Sequence, residues 1–257
     1  MIEGDPLDPT PDPPASGAAT ENTTPPTADD KNADRTDEIL GMAAHEIKNA
    51  LGPLAMTLQL CERRAISGQD IGLDDLRFAR AQVHRIGEMA NELLDASRID
   101  SGQLPLRLAP VDLCALVQNT VDTFRRASRR RVVCDVPPVP LVHIADAERL
   151  GSVLVNYLDN AAKYAPEHSS IEVRMSHAAD RVRIAVTDHG PGVRPEERER
   201  LFERYYRAPE TAGSIGGLGL GLYICRAIAE RHGGAAGVDS QPGKGATFWL
   251  DLHLGQS

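Results

Sequence analysis

Between residues 40 and 93 the apolar side chains keep a spacing that few folds can satisfy. Leu40, Ala44, Ile47, Leu51, Leu54, Leu58, Cys61 and Ala65 fall alternately four and three residues apart, which is a heptad seam. The turn-like stretch SGQDIG follows at 67 to 72. The seam then resumes at Leu76, Ala79, Val83, Ile86, Ala90 and Leu93 and stops at Asp100-Ser101-Gly102. Two long helices joined by a short loop form an antiparallel hairpin. One apolar seam per helix leaves surface uncovered, and pairing with a second copy as a four-helix bundle covers it most simply, so a homodimer is expected.

After residue 103 the period changes. Ile171, Val173 and Met175 alternate with polar partners, HAAD at 177 to 180 makes a turn, and Val182, Ile184 and Val186 alternate again. Phe248, Leu250, Leu252 and Leu254 read as a further strand, and 146 to 164 and 218 to 232 have helical spacing, so this region is a mixed α/β layer structure. At the other end, residues 1 to 36 hold seven prolines and eight acidic against two basic side chains, and no aromatic residue. Such a segment buries too little apolar area to offset its ordering entropy, so a disordered acidic tail is expected. The organisation is therefore a tail at 1–36, a hairpin at 37–102 and an α/β domain at 103–257.

The net charge of −9 argues against a nucleic-acid partner, because affinity for phosphate backbones comes from clustered Lys and Arg. One such cluster exists, Arg125, Arg126, Arg129, Arg130 and Arg131, after an apolar-periodic segment beginning near Val111. It reads as a helix C-terminus complementing its own dipole. No window approaches the roughly 20 apolar residues of a membrane span, and the N-terminus lacks a signal-peptide layout, so a cytoplasmic chain is expected. Cys61, Cys114, Cys134 and Cys225 lack metal-ligand or disulfide-framework spacing and read as core thiols in a reducing compartment.

Four stretches carry candidate chemistry. In AAHEIKNALGPL, with Leu40, Ile47 and Leu54 at d and Ala44 and Leu51 at a, His45 falls at b, Glu46 at c and Asn49 at f, all facing away from the seam. An exposed imidazole beside a base is a competent nucleophile, and the same pattern also suits a solvated polar face. Pro53 cannot donate to the carbonyl of Asn49, so a bend is expected there. In DAERLGSVLVNYLDNAAKYAP, Leu150, Val153, Leu154, Tyr157, Leu158 and Ala161 form a buried stripe, while Asn156, Asn160 and Lys163 share the opposite face. Two amide oxygens beside an ammonium suit Mg2+ with phosphates, against the alternative of an ordinary polar face. In RVRIAVTDHGPGV the strand phase turns Asp188 towards the core, where its carboxylate requires donors such as a nucleobase amine; Asp-x-Gly is also ordinary turn chemistry. In GGLGLGLYICRAIAERHGG, Gly217, Gly219 and Gly221 open a helix, as phosphate-cradling loops and plain flexible loops both do.

Taken in order, these stretches resemble the ATP-dependent protein histidine kinases of two-component signalling. AHEIKNALGPL resembles their phosphoacceptor box, NYLDNAAKY the Asn box, DHGPG the first glycine box, LFERYYR the Phe box, GLGLGL the second glycine box and GKGATF the third. The resemblance implies a dimerisation and phosphotransfer hairpin followed by a GHKL-type α/β sandwich ATPase domain, an ATP and Mg2+ requirement, and a response regulator as partner. It assigns His45 as the phosphorylated residue, Glu46 as its general base and Asn49 as a residue that orients water in dephosphorylation. Asn160, supported by Asn156, would hold Mg2+, with Lys163 near the phosphates, Tyr164 beside adenine and Asp188 accepting from its amine. Arg207 would reach the γ-phosphate. Gly190, Gly192, Gly217, Leu218, Gly219, Leu220, Gly221 and Thr247 would complete the nucleotide site. Three positions depart from the family pattern. Ala50 stands where Pro is frequent, with Pro53 three residues on, Leu218 replaces a small hydroxyl residue, and His189 replaces Asn.

Overall fold

The computed structural model describes Met1 and residues 28–128, 130–178, 180–208 and 217–254. The chain divides into two compact units, Met1–Glu38 and Ile39–Ser257. Of the first unit, residues 28–38 are helical backbone, so the helix starts at Ala28 and not near residue 37. The acid- and proline-rich part of the expected tail, residues 2–27, lies outside the described residues.

Helix α1 spans Ala28–Ile66 and runs unbroken through Pro53, and α2 spans Leu73–Asp100. They form the hairpin, tied across by Arg64 to Asp75 near the loop and by Arg85 to Glu46 about midway along the helices. The seam, however, splits in two. Ala50 and Cys61 on α1 and Ala79, Met89 and Ala96 on α2 are buried, and Leu54, Ile86 and Leu93 are half-buried beside them. These are d and g positions. The a positions Leu51, Leu58, Leu76 and Val83 are 46% to 58% exposed in the single chain. Each helix therefore has an inner apolar face and a second, open apolar stripe. Ala50 sits on the inner face at 1% exposure.

The α/β region follows as β1 (Ala109–Asp112), α3 (Leu113–Ser128), β2 (Val132–Asp135), β3 (Val142–Ala145), α4 (Ala147–Tyr164), β4 (Ile171–Ala178) and β5 (Arg181–Thr187). Two 3-10 turns, at 195–197 and 200–202, lead to α5 (Gly221–Arg231), β6 (Ala235–Ser240) and β7 (Ala246–His253). The main sheet has the order β2-β4-β5-β7-β6. Only its β2–β4 pair is parallel, and β1 pairs with β3 apart from it. Alternation sends Ile171, Val173, Met175, Val182, Ile184, Val186, Phe248, Leu250 and Leu252 to one sheet face. Val117 and Val121 of α3, the six-residue stripe of α4, and Ile224 and Ile228 of α5 cover it. Tyr157 of α4 packs its ring 5.7 Å from that of Phe248. Strands β1, β2, β3 and β6 are too short or too irregular in pattern to announce themselves in sequence. Val132–Asp135 becomes a strand because β4 offers it a parallel edge.

The arginine run is structural. Arg125 donates to the Val132 carbonyl at 2.8 Å and pairs with Asp122, and Arg130 donates to the Pro166 carbonyl at 3.0 Å. Arg129 lies outside the described residues. Cys61, Cys114 and Cys225 are buried free thiols, and Cys134 is half-buried. No helix among the described residues is long and apolar enough to cross a membrane.

Helix α4 starts at Asp146, which accepts from the Arg149 amide at 3.0 Å and from Arg107 N–H at 2.7 Å. Burial opposes ionisation of this carboxyl, yet the amide donors outweigh burial and hold its pKa below the ordinary value. A carboxyl lowered in the fold contributes stability above its unfolded pKa and loses it as pH falls through the folded one. Asp146→Asn should therefore cost about 1–2 kcal/mol at neutral pH, by urea denaturation. The difference between the two proteins should shrink as pH drops below about 4.

Candidate functional site

Because the apolar stripe of α4 is pinned on the sheet, the opposite face is turned to a cleft. Asn156, Asn160 and Lys163 line it from successive turns, and Asn160 Nδ2 donates to Asn156 Oδ1 at 3.2 Å. Tyr164, at the C-terminal end of α4, also lines it. Across the cleft, Asp188 continues the inward phase of β5 and is 4% exposed. Burial raises its pKa, opposed by the Gly190 amide, which donates to Asp188 Oδ1 at 2.7 Å. Apolar walls come from Val193, Leu201, Leu222 and Phe248.

The glycine run approaches closely. A side chain at Gly221 would overlap Asn156 Nδ2, so the helix start at Gly221 and the amide of Asn156 share one space. At Gly219, with φ of 67°, a Cβ would meet Tyr206 O at 2.8 Å. The Gly219 carbonyl accepts from Tyr205 N–H at 2.9 Å, and Tyr205 itself has φ of 63°, a left-handed conformation that is strained for an aromatic residue. The glycine run and LFERYYR are thus bonded to each other, and Arg207 at the end of the latter lines the cleft.

Of the residues singled out in the sequence, Asn156, Asn160, Lys163, Tyr164, Asp188, Gly192, Arg207, Gly217, Leu218, Gly219 and Gly221 line this single cleft. Gly190 supports Asp188 from beneath. Two others stand apart. Leu220 is fully buried core, its side chain being the plug that seats the glycine run, and Thr247 pairs its hydroxyl with that of Thr187 at 2.9 Å on neighbouring strands. His189 faces Glu172 at 3.5 Å. On the hairpin, His45 and Asn49 are exposed. Glu46, expected to face solvent, is instead covered to 13% side-chain exposure, with Arg85 at 3.3 Å and Arg207 at 3.8 Å. The outward heptad phase held for the helix alone, and Arg85 of α2 together with Arg207 of the α/β region supplies the cover.

Reading the sequence missed Glu92, Val193, Leu201, Tyr206, Leu222 and Phe248 as cleft residues. Phe248 was legible only as the first residue of the alternating strand pattern, next to Thr247. Glu92 carries no signal in sequence, because it enters the cleft through docking of α2 on α5 and α4. That docking uses Asp95, which takes both Nη atoms of Arg149, and Asp100, which takes Arg204 and, at 2.8 Å, the hydroxyl of Tyr223. Burial lifts the Glu92 carboxyl to about 7, with the Lys163 charge opposing.

No group of three or more His, Cys, Asp or Glu able to hold a metal occurs among the described residues. The polar part of the cleft offers the amide oxygens of Asn156 and Asn160, the Glu92 carboxyl and the Lys163 ammonium. That set fits a hard cation that keeps waters and shares phosphate oxygens. The buried acceptor Asp188 between apolar walls fits a flat ring bearing an amine.

Two family models match, the His Kinase A (phospho-acceptor) domain over residues 35–102 and the histidine kinase-, DNA gyrase B-, and HSP90-like ATPase over residues 145–256. A solved structure of the mycobacterial sensor histidine kinase MprB is 32% identical, with a TM-score of 0.50 over 57% of this chain and 97% of that one. The chain belongs to the sensor histidine kinases. Among curated members of this family, the adaptive-response sensory kinase SasA of Thermosynechococcus vestitus is 35% identical over 85% of this chain and 60% of its own length. Full-length ShkA, solved in complex with AMPPNP, is 26% identical with a TM-score of 0.60, over 86% of this chain and 46% of ShkA. The chain spans 46% to 60% of the length of the first curated histidine kinases it matches. Its architecture is the family's, a helical hairpin followed by a GHKL-type α/β sandwich.

Gly221→Ala should displace Asn156 while leaving the fold in place. The expected result is a change in stability below about 1 kcal/mol by chemical denaturation, together with shifted side-chain amide resonances of Asn156 and Asn160 by NMR.

Proposed function

We propose that this chain is a Mg2+- and ATP-dependent protein-histidine autokinase that phosphorylates His45 and passes the phosphoryl group to an aspartate of a response regulator. The observation that carries the reading is the Arg207–Glu46 contact. It brings the rim of a cleft fitted for a nucleotide to the residue next to an exposed histidine.

In this reading Asn160 and Asn156 would hold Mg2+ through their amide oxygens, and the ion would neutralise charge on the phosphates. Lys163 neutralises phosphate charge from the same helix face, and Asp188 accepts from the adenine amine between Val193, Leu222 and Phe248. Gly217, Gly219 and Gly221 give backbone approach to the phosphates, with Gly192 and Leu218 shaping the walls. Arg207 leaves Glu46 for the γ-phosphate. Glu46 then accepts the proton from His45 as an imidazole nitrogen attacks phosphorus in line and the bond to the leaving ADP oxygen breaks. Catalysis of this kind is mostly positioning and electrostatic stabilisation. The functional modules are the hairpin at 37–102 and the catalytic region at 103–257. The latter starts well before the matched ATPase model at residue 145, because β1, α3 and β2 complete the same core.

The open stripe of Leu51, Leu58, Leu76 and Val83 supports a homodimer, with two hairpins closing into a four-helix bundle. A phosphatase role is a second reading. It rests on exposed Asn49, one turn beyond His45, and on the name of the relative MprB of Mycolicibacterium smegmatis, a histidine-protein kinase/phosphatase at 31% identity over 87% of this chain and 46% of its own length.

Incubation with Mg-ATP labelled at the γ-phosphate should give an acid-labile label that His45→Gln abolishes; labelling that persists in His45→Gln would refute the assignment. Glu46→Gln should slow labelling by about 100-fold or more without weakening nucleotide binding. Placing glutamates in the open stripe, Leu58→Glu with Val83→Glu, should convert a dimer to a folded single chain by sedimentation equilibrium. An unchanged mass would remove the stripe as the dimer face.

A further inference from the structure

The polar part of the cleft contains two cations from the α/β region, Lys163 on α4 and Arg207 after the Phe box; a carboxylate of the hairpin shares the cleft with the first and another contacts the second. Glu92 of α2 lines the cleft with Lys163, whose charge favours the ionised form against burial. Glu46 of α1 lies 3.8 Å from Arg207. Neither encounter is incidental to a loose surface. Met89 and Ala96, one turn either side of Glu92, are buried in the core shared with the α/β region, and Asp95 and Asp100 lock α2 to Arg149, Arg204 and Tyr223. By contrast, the groups acting on Asp188 are the backbone of Gly190 and Ala246 and the charge of His189, all of the α/β region.

A carboxylate offers a cation the same anionic oxygens that a phosphate does. We propose that the docked hairpin is a built-in competitor of the nucleotide's phosphates, with Glu92 standing against Lys163 and Glu46 against Arg207, so that hairpin docking and triphosphate binding oppose one another. The inference rests on the reading that the cleft takes ATP. It assigns Glu92 a role in setting phosphate affinity, distinct from the adenine recognition assigned to Asp188. Binding of Mg-ATP then requires the hairpin to withdraw, and its withdrawal separates Arg207 from Glu46. Nucleotide occupancy is thereby coupled to exposure of the base beside His45.

The test compares two ligands on the full chain by titration calorimetry at pH 8, above the value of about 7 to which burial lifts Glu92: a non-hydrolysable ATP analogue with Mg2+, and adenosine alone. Glu92→Gln removes the competing charge, and Asp95→Asn loosens the docking without touching the cleft. Each variant should bind the analogue about three- to tenfold more tightly than the parent, the effect expected for removing one nearby like charge. Adenosine affinity should stay the same, which also shows that the cleft is folded. Should Asp95→Asn fail to fold, Glu92→Gln decides alone. Unchanged analogue affinity in Glu92→Gln overturns the inference and leaves the nucleotide reading intact. Weaker analogue binding also overturns it and makes Glu92 a supporting ligand on the magnesium side. A parent protein that binds neither ligand overturns both readings.

Discussion

The packing of one face of α4 against the sheet is the constraint on which the site depends. Leu150, Val153, Leu154, Tyr157, Leu158 and Ala161 are all buried, and at 3.6 residues per turn their fixed direction leaves no choice for Asn156, Asn160 and Lys163. Each buried aliphatic contributes a few kcal/mol to the fold. The polar side chains are held by that burial and spend no conformational freedom of their own on finding the cleft. The same logic operates on β5, where three buried residues at alternate positions bring Asp188 inward to meet the Gly190 amide.

A second layer of organisation is electrostatic. Acidic residues of the hairpin, Glu46, Asp95 and Asp100, face Arg207, Arg149 and Arg204 of the α/β region. Partly exposed ion pairs are each of modest worth. Here they flank an apolar contact through Met89 and Ala96, which supplies the adhesion while the charges set where it occurs. A contact built this way is strong enough to define an arrangement and weak enough to be exchanged for another.

Much of this was legible in the sequence, and the limits have physical causes. The stripe of α4, the alternation of β4, β5 and β7, the inward phase of Asp188 and the two long helices all follow from periodicity, which depends only on local geometry. What periodicity cannot give is which face meets which neighbour. It assigned one seam per helix where the structure has an inner face through Ala50 and Met89 and an open one through Leu58 and Val83. It also turned Glu46 to solvent, where two guanidinium groups cover it, one from Arg85 of α2 and one from Arg207, 161 positions away. Glu92 escaped notice for the same reason. Glycine positions fared better, because Gly221 must be small where Asn156 stands, though Leu220 between them serves the core and not the cleft.

The two apolar faces of α1 have a consequence for its length. Inserting or deleting one residue between His45 and Cys61 turns everything beyond it by about 100°, which would move d and g residues off α2 and a residues off the open stripe in the same step. A helix with a single seam can absorb such a change by rolling on its partner. This one cannot roll, since correcting one face misaligns the other. The distance in residues from the exposed imidazole to the hairpin loop is therefore a more tightly held quantity than the identity of most side chains along it.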